Sequence, residues 1–289
     1  MFDGRTGSPA SAESPASTEL LDWFTRTDRV TVAFSGGVDS SLVLAAATWA
    51  LGQANVHAVT AVSESLPSGM LATARHLTSL LNVRHAEITT REIDNPGYTA
   101  NGADRCYFCK ATLIETVLSS GYAGAGDLLV TGTNADDVRA GWRPGIRAAA
   151  ERGAGTPLAD VGMSKDEVRT LSRDWGLPGW DRPASPCLSS RIAYGVHITP
   201  AKLARVDNAE QAVRLVLQLA GVTVHDLRVR DLGNAVRLEV DAASVPAVRE
   251  IAGVRPAVAQ AGFGALPLEI SPFRSGALNS ALPAGLRFR

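Results

Sequence analysis

The 289-residue chain is poor in cysteine, with only Cys106, Cys109 and Cys187. So small and odd a number excludes a disulfide scaffold and suits a reducing cytoplasm, where thiols are kept for metal or for chemistry. No run of about 18 apolar residues occurs, which excludes a membrane-spanning helix. Neither sign of charge dominates: 28 Lys and Arg face 29 Asp and Glu, for a net charge of -1. A chain-wide basic field for nucleic acid is therefore missing, leaving at most a local patch. No repeat recurs at a fixed period. The chain is 45% apolar and 20% charged, a globular composition that excludes collagen, a disordered tail protein and a coiled coil. Its length suits one large or two modest domains.

Residues 1–17 are rich in Ser, Ala, Pro and Gly and lack the basic start and apolar centre of a secretory leader; they read as a disordered extension. From Arg29 the pattern alternates. RVTVAF predicts a strand, SGG a turn and VDSSLVLAAATWAL a helix. Strands follow at Val56–Ser63, Arg84–Thr90 and Asp127–Thr131, with helices over Pro67–Leu81 and about Asp104–Leu118. Strands alternating with helices predict an α/β fold with a parallel sheet covered on both faces, here over residues 18–197. Ser164 with Glu167 forms a capping box before another helix. Residues 198–289 read as a small α+β domain. It holds a long helix over about Thr199–Leu219, a hairpin of Asp226–Asp231 with Ala235–Val240, and a strand near Leu266–Ile270.

Ser35–Ser41 (SGGVDSS) sits at the carboxyl end of the first strand and opens a helix, where open α/β sheets bind ligands. The helix start offers unpaired N–H groups and the positive end of the dipole, which suits phosphate. Gly36 and Gly37 let the backbone approach closely. Two commoner loops are absent: there is no Gly-x4-Gly-Lys-Ser/Thr and no Gly-x-Gly-x-x-Gly. After the fourth strand comes GTNADD, with Gly132, Thr133 and Asn134, then GWRPG with Arg143. A loop at the same sheet edge faces the same ligand. Asp136 and Asp137 there suit either a metal or the first turn of a capped helix. Trp142, Trp175 and Trp180 read as packing anchors.

SGGVDSS resembles the loop of the PP-loop ATP pyrophosphatases. That resemblance implies ATP split at the α-phosphate, with Ser35, Gly36, Gly37, Asp39 and Ser40 on the pyrophosphate end and Mg²⁺ at Asp39. Six pieces in order narrow it: SGGVDSS, NGADRCYFCK, GTNADDVRAGWRPG, TPLADVGMSKDEVRTLSRDWGLP, WDRPASPCLSSRIAYGVHIT and FRSGALN. Together they resemble the LarE group of sulfur transferases in nickel-pincer cofactor synthesis, from about Arg29 to Arg274. The stretch from Gln211 to His225 is longer than the family pattern. The resemblance implies a substrate that is a small pyridinium mononucleotide with carboxyl groups, adenylated and then attacked by sulfur to give a thiocarboxylate. It also implies a homo-oligomer. By resemblance Cys187 and Glu210 are catalytic, and Arg143, Arg191, Arg228 and Arg274 hold substrate or its phosphate. For Arg228, with Arg230 beside it, a solvated surface strand stays open.

Cys187 is the sulfur-bearing position by resemblance. In some members a single such cysteine is consumed and left as dehydroalanine. In others, cysteines corresponding to Cys106 and Cys109 join it to hold a 4Fe-4S cluster whose fourth iron is open, and the three cysteines here favour that cluster over the consumed-cysteine route. On the residues alone, Cys106-x-x-Cys109 also suits a redox pair, half of a zinc site, or plain helix positions. His85, His197 and His225 lack ligand spacing for a zinc site. Three other functions compete: tRNA thiolation, which near-neutral charge disfavours; an amidotransferase, which needs no thiol; and a non-enzymatic nucleotide sensor.

Overall fold

A computed structural model of the chain describes residues 14–124, 126–141, 143–183, 185–274, 276–278 and 282. The elements in order are α1 (Pro15–Phe24), β1 (Val30–Ala33), α2 (Val38–Leu51), β2 (Val56–Val62), α3 (Met70–Leu80), β3 (Arg84–Thr89), α4 (Pro96–Thr99) and α5 (Arg105–Ser119). Then come β4 (Leu128–Val130), α6 (Ala135–Arg139), α7 (Pro144–Ala150), α8 (Pro157–Asp160), α9 (Lys165–Asp174), α10 (Pro200–Leu219), β5 (Leu227–Asp231), β6 (Val236–Val240), α11 (Val245–Glu250), α12 (Val254–Val258) and β7 (Leu268–Pro272). Among the described residues no helix is long and apolar enough to cross a membrane.

The chain divides into two compact units. The first holds a four-stranded parallel sheet in the order β3-β2-β1-β4. Its β-branched strands bury Val30, Val32, Val56 and Val130 against α2, which is buried continuously from Ser40 to Thr48. A helix enclosed on all sides needs apolar residues all round, and the run LVLAAA supplies them. Trp175 packs edge-on against Trp49, with ring centroids 4.4 Å apart. Trp180 departs from the expected anchor role: it is 38% exposed. Trp142 lies outside the described residues.

The order has a functional consequence. From β1 the chain steps outward to β2 and β3, then returns to place β4 on the other side of β1. The sheet therefore has its topological switch point between β1 and β4, where a crevice opens beyond the carboxyl ends of the strands. The glycine loop follows β1, and the Gly132–Asn134 loop follows β4.

The second unit contains Glu64–Ser68, Ile93–Arg105 and the chain from Ser185. It begins earlier than the expected boundary at residue 198, because the loop before α10 pairs with β5: Ile192 bridges Asp231, and the Ala193 N–H donates to the Asp231 carbonyl at 2.9 Å. The expected hairpin forms as β5 and β6, antiparallel, and β7 adds parallel to β6. Helix α10 packs against β5 and α12 and buries Leu203, Val206, Ala209, Val213 and Leu217. At the other end, residues 14–17 leave the expected extension. Ser14 caps α1 in a capping box with Ser17, and Pro15 takes the first helical position. Residues 1–13 lie outside the described residues.

Candidate functional site

In the first unit the two loops at the switch point meet. Gly36 takes φ +73°, open to glycine, and a Cβ there would lie 3.2 Å from the Ala74 nitrogen of α3. Gly132 is more constrained. A Cβ on it would fall 2.7 Å from the Ser40 nitrogen and 3.0 Å from the Asp39 carbonyl carbon, so glycine is what lets the β4 loop lie against the first turn of α2. Gly37 caps α2 without a side-chain hydrogen bond, which leaves the helix-start N–H groups to a ligand. The serines, read from sequence as ligand donors, fold the loop itself. Ser40 Oγ donates to the Gly37 carbonyl at 3.0 Å, Ser35 Oγ accepts from the Gly37 N–H at 3.3 Å, and the two hydroxyls lie 3.2 Å apart.

Asn134 does two things at once. Its Oδ1 accepts from the Asp137 N–H at 2.9 Å, capping α6, and its Nδ2 donates to Asp39 Oδ1 at 3.0 Å. Capped helix and shared site are therefore compatible readings of GTNADD. Asp136 and Asp137 are committed locally. Asp136 Oδ2 accepts from the Lys165 N–H at 2.8 Å, and Asp137 closes the capping box. Arg143, expected on substrate, lies 3.4 Å from Asp137 Oδ1. Lys165 was missed from sequence: its ammonium donates to Asp39 Oδ2. The only available signal was its place directly after the Ser164 cap, which says nothing of where its side chain reaches.

Cys106 and Cys109 lie one turn apart on α5, both half-buried. Gly145 of α7 approaches closely, so that a Cβ there would lie 3.3 Å from the Cys106 carbonyl oxygen. Cys187 is in the second unit, also half-buried and not in a disulfide. Among the described residues no group of three or more His, Cys, Asp or Glu side chains is placed to hold a metal ion.

Cys187 precedes a short 3-10 turn, Leu188–Arg191. Arg191 is 1% exposed and turns back on its own loop. Its Nη1 donates to the carbonyls of Pro186 and, at 3.0 Å, Cys187. Its Nε and Nη2 donate to the two oxygens of Glu210 at 3.0 and 3.3 Å. Glu210, on α10, also accepts from the Val229 N–H at 3.1 Å. Arg228 and Arg230 are both buried on β5, which removes the solvated-strand reading. Arg230 pairs with buried Glu239, and the Arg228 guanidinium lies 5.6 Å from the Phe273 ring centroid. Burial, reinforced by the neighbouring Arg191 cation, pulls the Arg228 pKa down to about 10. An arriving anion would offset that cost. Arg274 follows Phe273 beyond β7 and is exposed.

The parallel sheet, with the glycine loop after β1 and a second loop after β4 at its switch point, is that of a PP-loop α/β domain. No family model matches the chain. It is 40% identical over 266 residues to an uncharacterized protein of Synechocystis sp., covering 91% of this chain and 96% of that one. It is 32% identical over 259 residues to the pyridinium-3,5-bisthiocarboxylic acid mononucleotide synthase of Lactiplantibacillus plantarum, covering 88% and 90%. An uncharacterized protein of Methanocaldococcus jannaschii is 25% identical over 216 residues, or 74% and 78%. The chain belongs to the LarE family and is an enzyme of the sulfurtransferase class.

Proposed function

We propose that this enzyme uses ATP to activate a carboxyl group of a pyridinium mononucleotide and replaces an oxygen of it with sulfur, as a step of nickel-pincer cofactor synthesis. The name of the Lactiplantibacillus plantarum relative supports the substrate. The observation that carries the ATP half is the meeting of the glycine loop, Gly132 and Asn134 around Asp39 at the switch point.

Activation goes by attack of a carboxylate oxygen on the α-phosphorus. The bond to the departing pyrophosphate breaks, and an acyl-adenylate remains. The helix-start N–H groups of α2 bind the pyrophosphate charge, and Lys165 adds a cation beside it. Mg²⁺ fits this site, because that ion uses one or two carboxylates and takes its remaining ligands from phosphate and water, and Asp39 supplies one carboxylate. When bound, Mg²⁺ neutralises phosphate charge. Sulfur transfer follows at Cys187. Its thiolate attacks the acyl carbon and expels AMP to form a thioester. A base then takes the Cys187 Cα proton, the Cβ–S bond breaks, and the thiocarboxylate leaves with the sulfur while dehydroalanine stays in the chain. Arg228 and Arg274 suit the mononucleotide phosphate. A 4Fe-4S cluster on Cys106, Cys109 and Cys187 would supply renewable sulfide. Its support is the i, i+3 cysteine pair on α5.

Protein prepared without oxygen, incubated with MgATP and the mononucleotide, is expected to form pyrophosphate and thiocarboxylate in equal amounts. Thiocarboxylate without pyrophosphate would overturn the adenylation step. Iron and sulfide measured in the same sample decide the sulfur source: four irons per three-cysteine site support the cluster, and their absence together with dehydroalanine at residue 187 supports the thioester route.

A further inference from the structure

Four carbonyl oxygens of the loop that carries Cys187 accept from guanidinium groups. Arg191 Nη1 reaches the Pro186 and Cys187 carbonyls. Arg105 Nη1 donates to the Ser189 carbonyl at 2.9 Å and to Asn101 Oδ1 at 2.6 Å. Arg230 Nη1 donates to the Ser190 carbonyl at 3.0 Å. Tyr98 hydrogen-bonds the Ser189 hydroxyl, and the Leu188 N–H donates to the Ser65 carbonyl at 2.8 Å. All three arginines are buried. Burying a charge is costly, and the hydrogen bonds to carbonyls and carboxylates offset that cost here.

Glu210 stands behind this arrangement. Three hydrogen bonds engage its carboxylate, two from Arg191 and one from the Val229 N–H, and the side chain is 9% exposed. A carboxylate so occupied fixes Arg191 rather than meeting a substrate. We propose that Glu210 and Arg191 form a positioning clamp, completed by Arg105 and Arg230, that sets the backbone of residues 186–190 and so presents the Cys187 sulfur. Glu210 is then a positioning residue acting through Arg191. This rests on the reading of Cys187 as the sulfur-bearing residue.

The test is a double-mutant cycle on the full chain, read as the single-turnover rate of thiocarboxylate formation. Arg191→Lys keeps the charge but cannot fork between Glu210 and two carbonyls; it is expected to lower the rate about 100-fold, as a misplacement near 1 Å does. Glu210→Gln, which loses one charge-assisted contact, is expected to cost roughly tenfold. If both act through one clamp, the double variant stays near the loss of Arg191→Lys alone. A loss near the product of the two, roughly 1,000-fold, would mean that Glu210 acts on its own and would overturn the proposal. Should Arg191→Lys fail to fold, hydrogen exchange in Glu210→Gln decides. Faster exchange at the Leu188, Ser190 and Ile192 amides, confined to that loop, supports the clamp; unchanged exchange overturns it. The exchange readout needs no turnover. Sulfur transfer that survives in Cys187→Ser would instead sink the functional reading while leaving the clamp standing.

Discussion

The two units build their polar sites by opposite means. At the switch point of the first unit, shape is made by absence. Gly36 and Gly132 lack side chains so that backbone can approach backbone, helix-start N–H groups stay uncapped, and the charges present, Asp39 and Lys165, keep contact with solvent. In the second unit, shape is made by filling. Arg105, Arg191, Arg228, Arg230, Glu210 and Glu239 are packed out of water around a short loop. A phosphate site must admit and release a large anion, so open N–H groups and hydrated charges serve it. A loop that presents one sulfur atom gains from being fixed before the substrate arrives. The difference implies opposite tolerances: the first site should suffer most from added bulk, the second from altered hydrogen-bond geometry.

Of the two substitutions at the first site that test this contrast, the larger effect is expected from bulk at Gly132. Gly132→Ala puts a methyl group 2.7 Å from a backbone nitrogen, with no flexible side chain to yield. Overpacking of that kind costs about 1–3 kcal/mol. Pyrophosphate release should fall at least about tenfold as the first turn of α2 is pushed away, roughly 1.4 kcal/mol of transition-state stabilisation. Thermal unfolding and a pyrophosphate assay check both; a variant unchanged in both would break the contrast. Lys165→Met sharpens it from the charge side. The Lys165–Asp39 pair is partly exposed, so its loss should alter stability by less than about 1 kcal/mol. The KM for ATP should nevertheless rise about tenfold, because a cation beside the polyphosphate is gone. A large stability loss with unchanged KM would make Lys165 a structural prop.

Much of the first site was legible because its information is local. A β-branched run, two glycines and a helix-forming run specify strand, turn and helix within Arg29–Leu51, and GTNADD repeats the strand-to-helix change after β4. The Ser164–Glu167 capping box was readable for the same reason. What escaped was nonlocal. The reach of Lys165 to Asp39 spans 126 positions and follows from how α9 packs on α2, which no periodicity encodes. Arg228 and Arg230 alternate as a surface strand would, yet both are buried, because the loop at Ser190 and the carboxylates of Glu210 and Glu239 supply their partners from other elements. Residues 14–17 were obscured by composition. Ser and Pro mark a disordered stretch as readily as a helix start, and Leu20, Trp23 and Phe24, buried from the same helix, decide it.

Asp39 at the switch point is the centre of the proposed ATP-splitting site. The most direct test is pyrophosphate release from MgATP in the presence of the carboxylate mononucleotide, compared between the natural chain and Asp39→Asn. The variant keeps one acceptor oxygen for Asn134 or Lys165 and loses the other, but the site is partly exposed, so the fold should hold and stability should fall by no more than about 1 kcal/mol. Release should drop by at least about 100-fold, because the carboxylate that would hold Mg²⁺ against the phosphate charge is gone. Release at the natural rate would contradict the assignment of the glycine loop and, with it, the adenylation step.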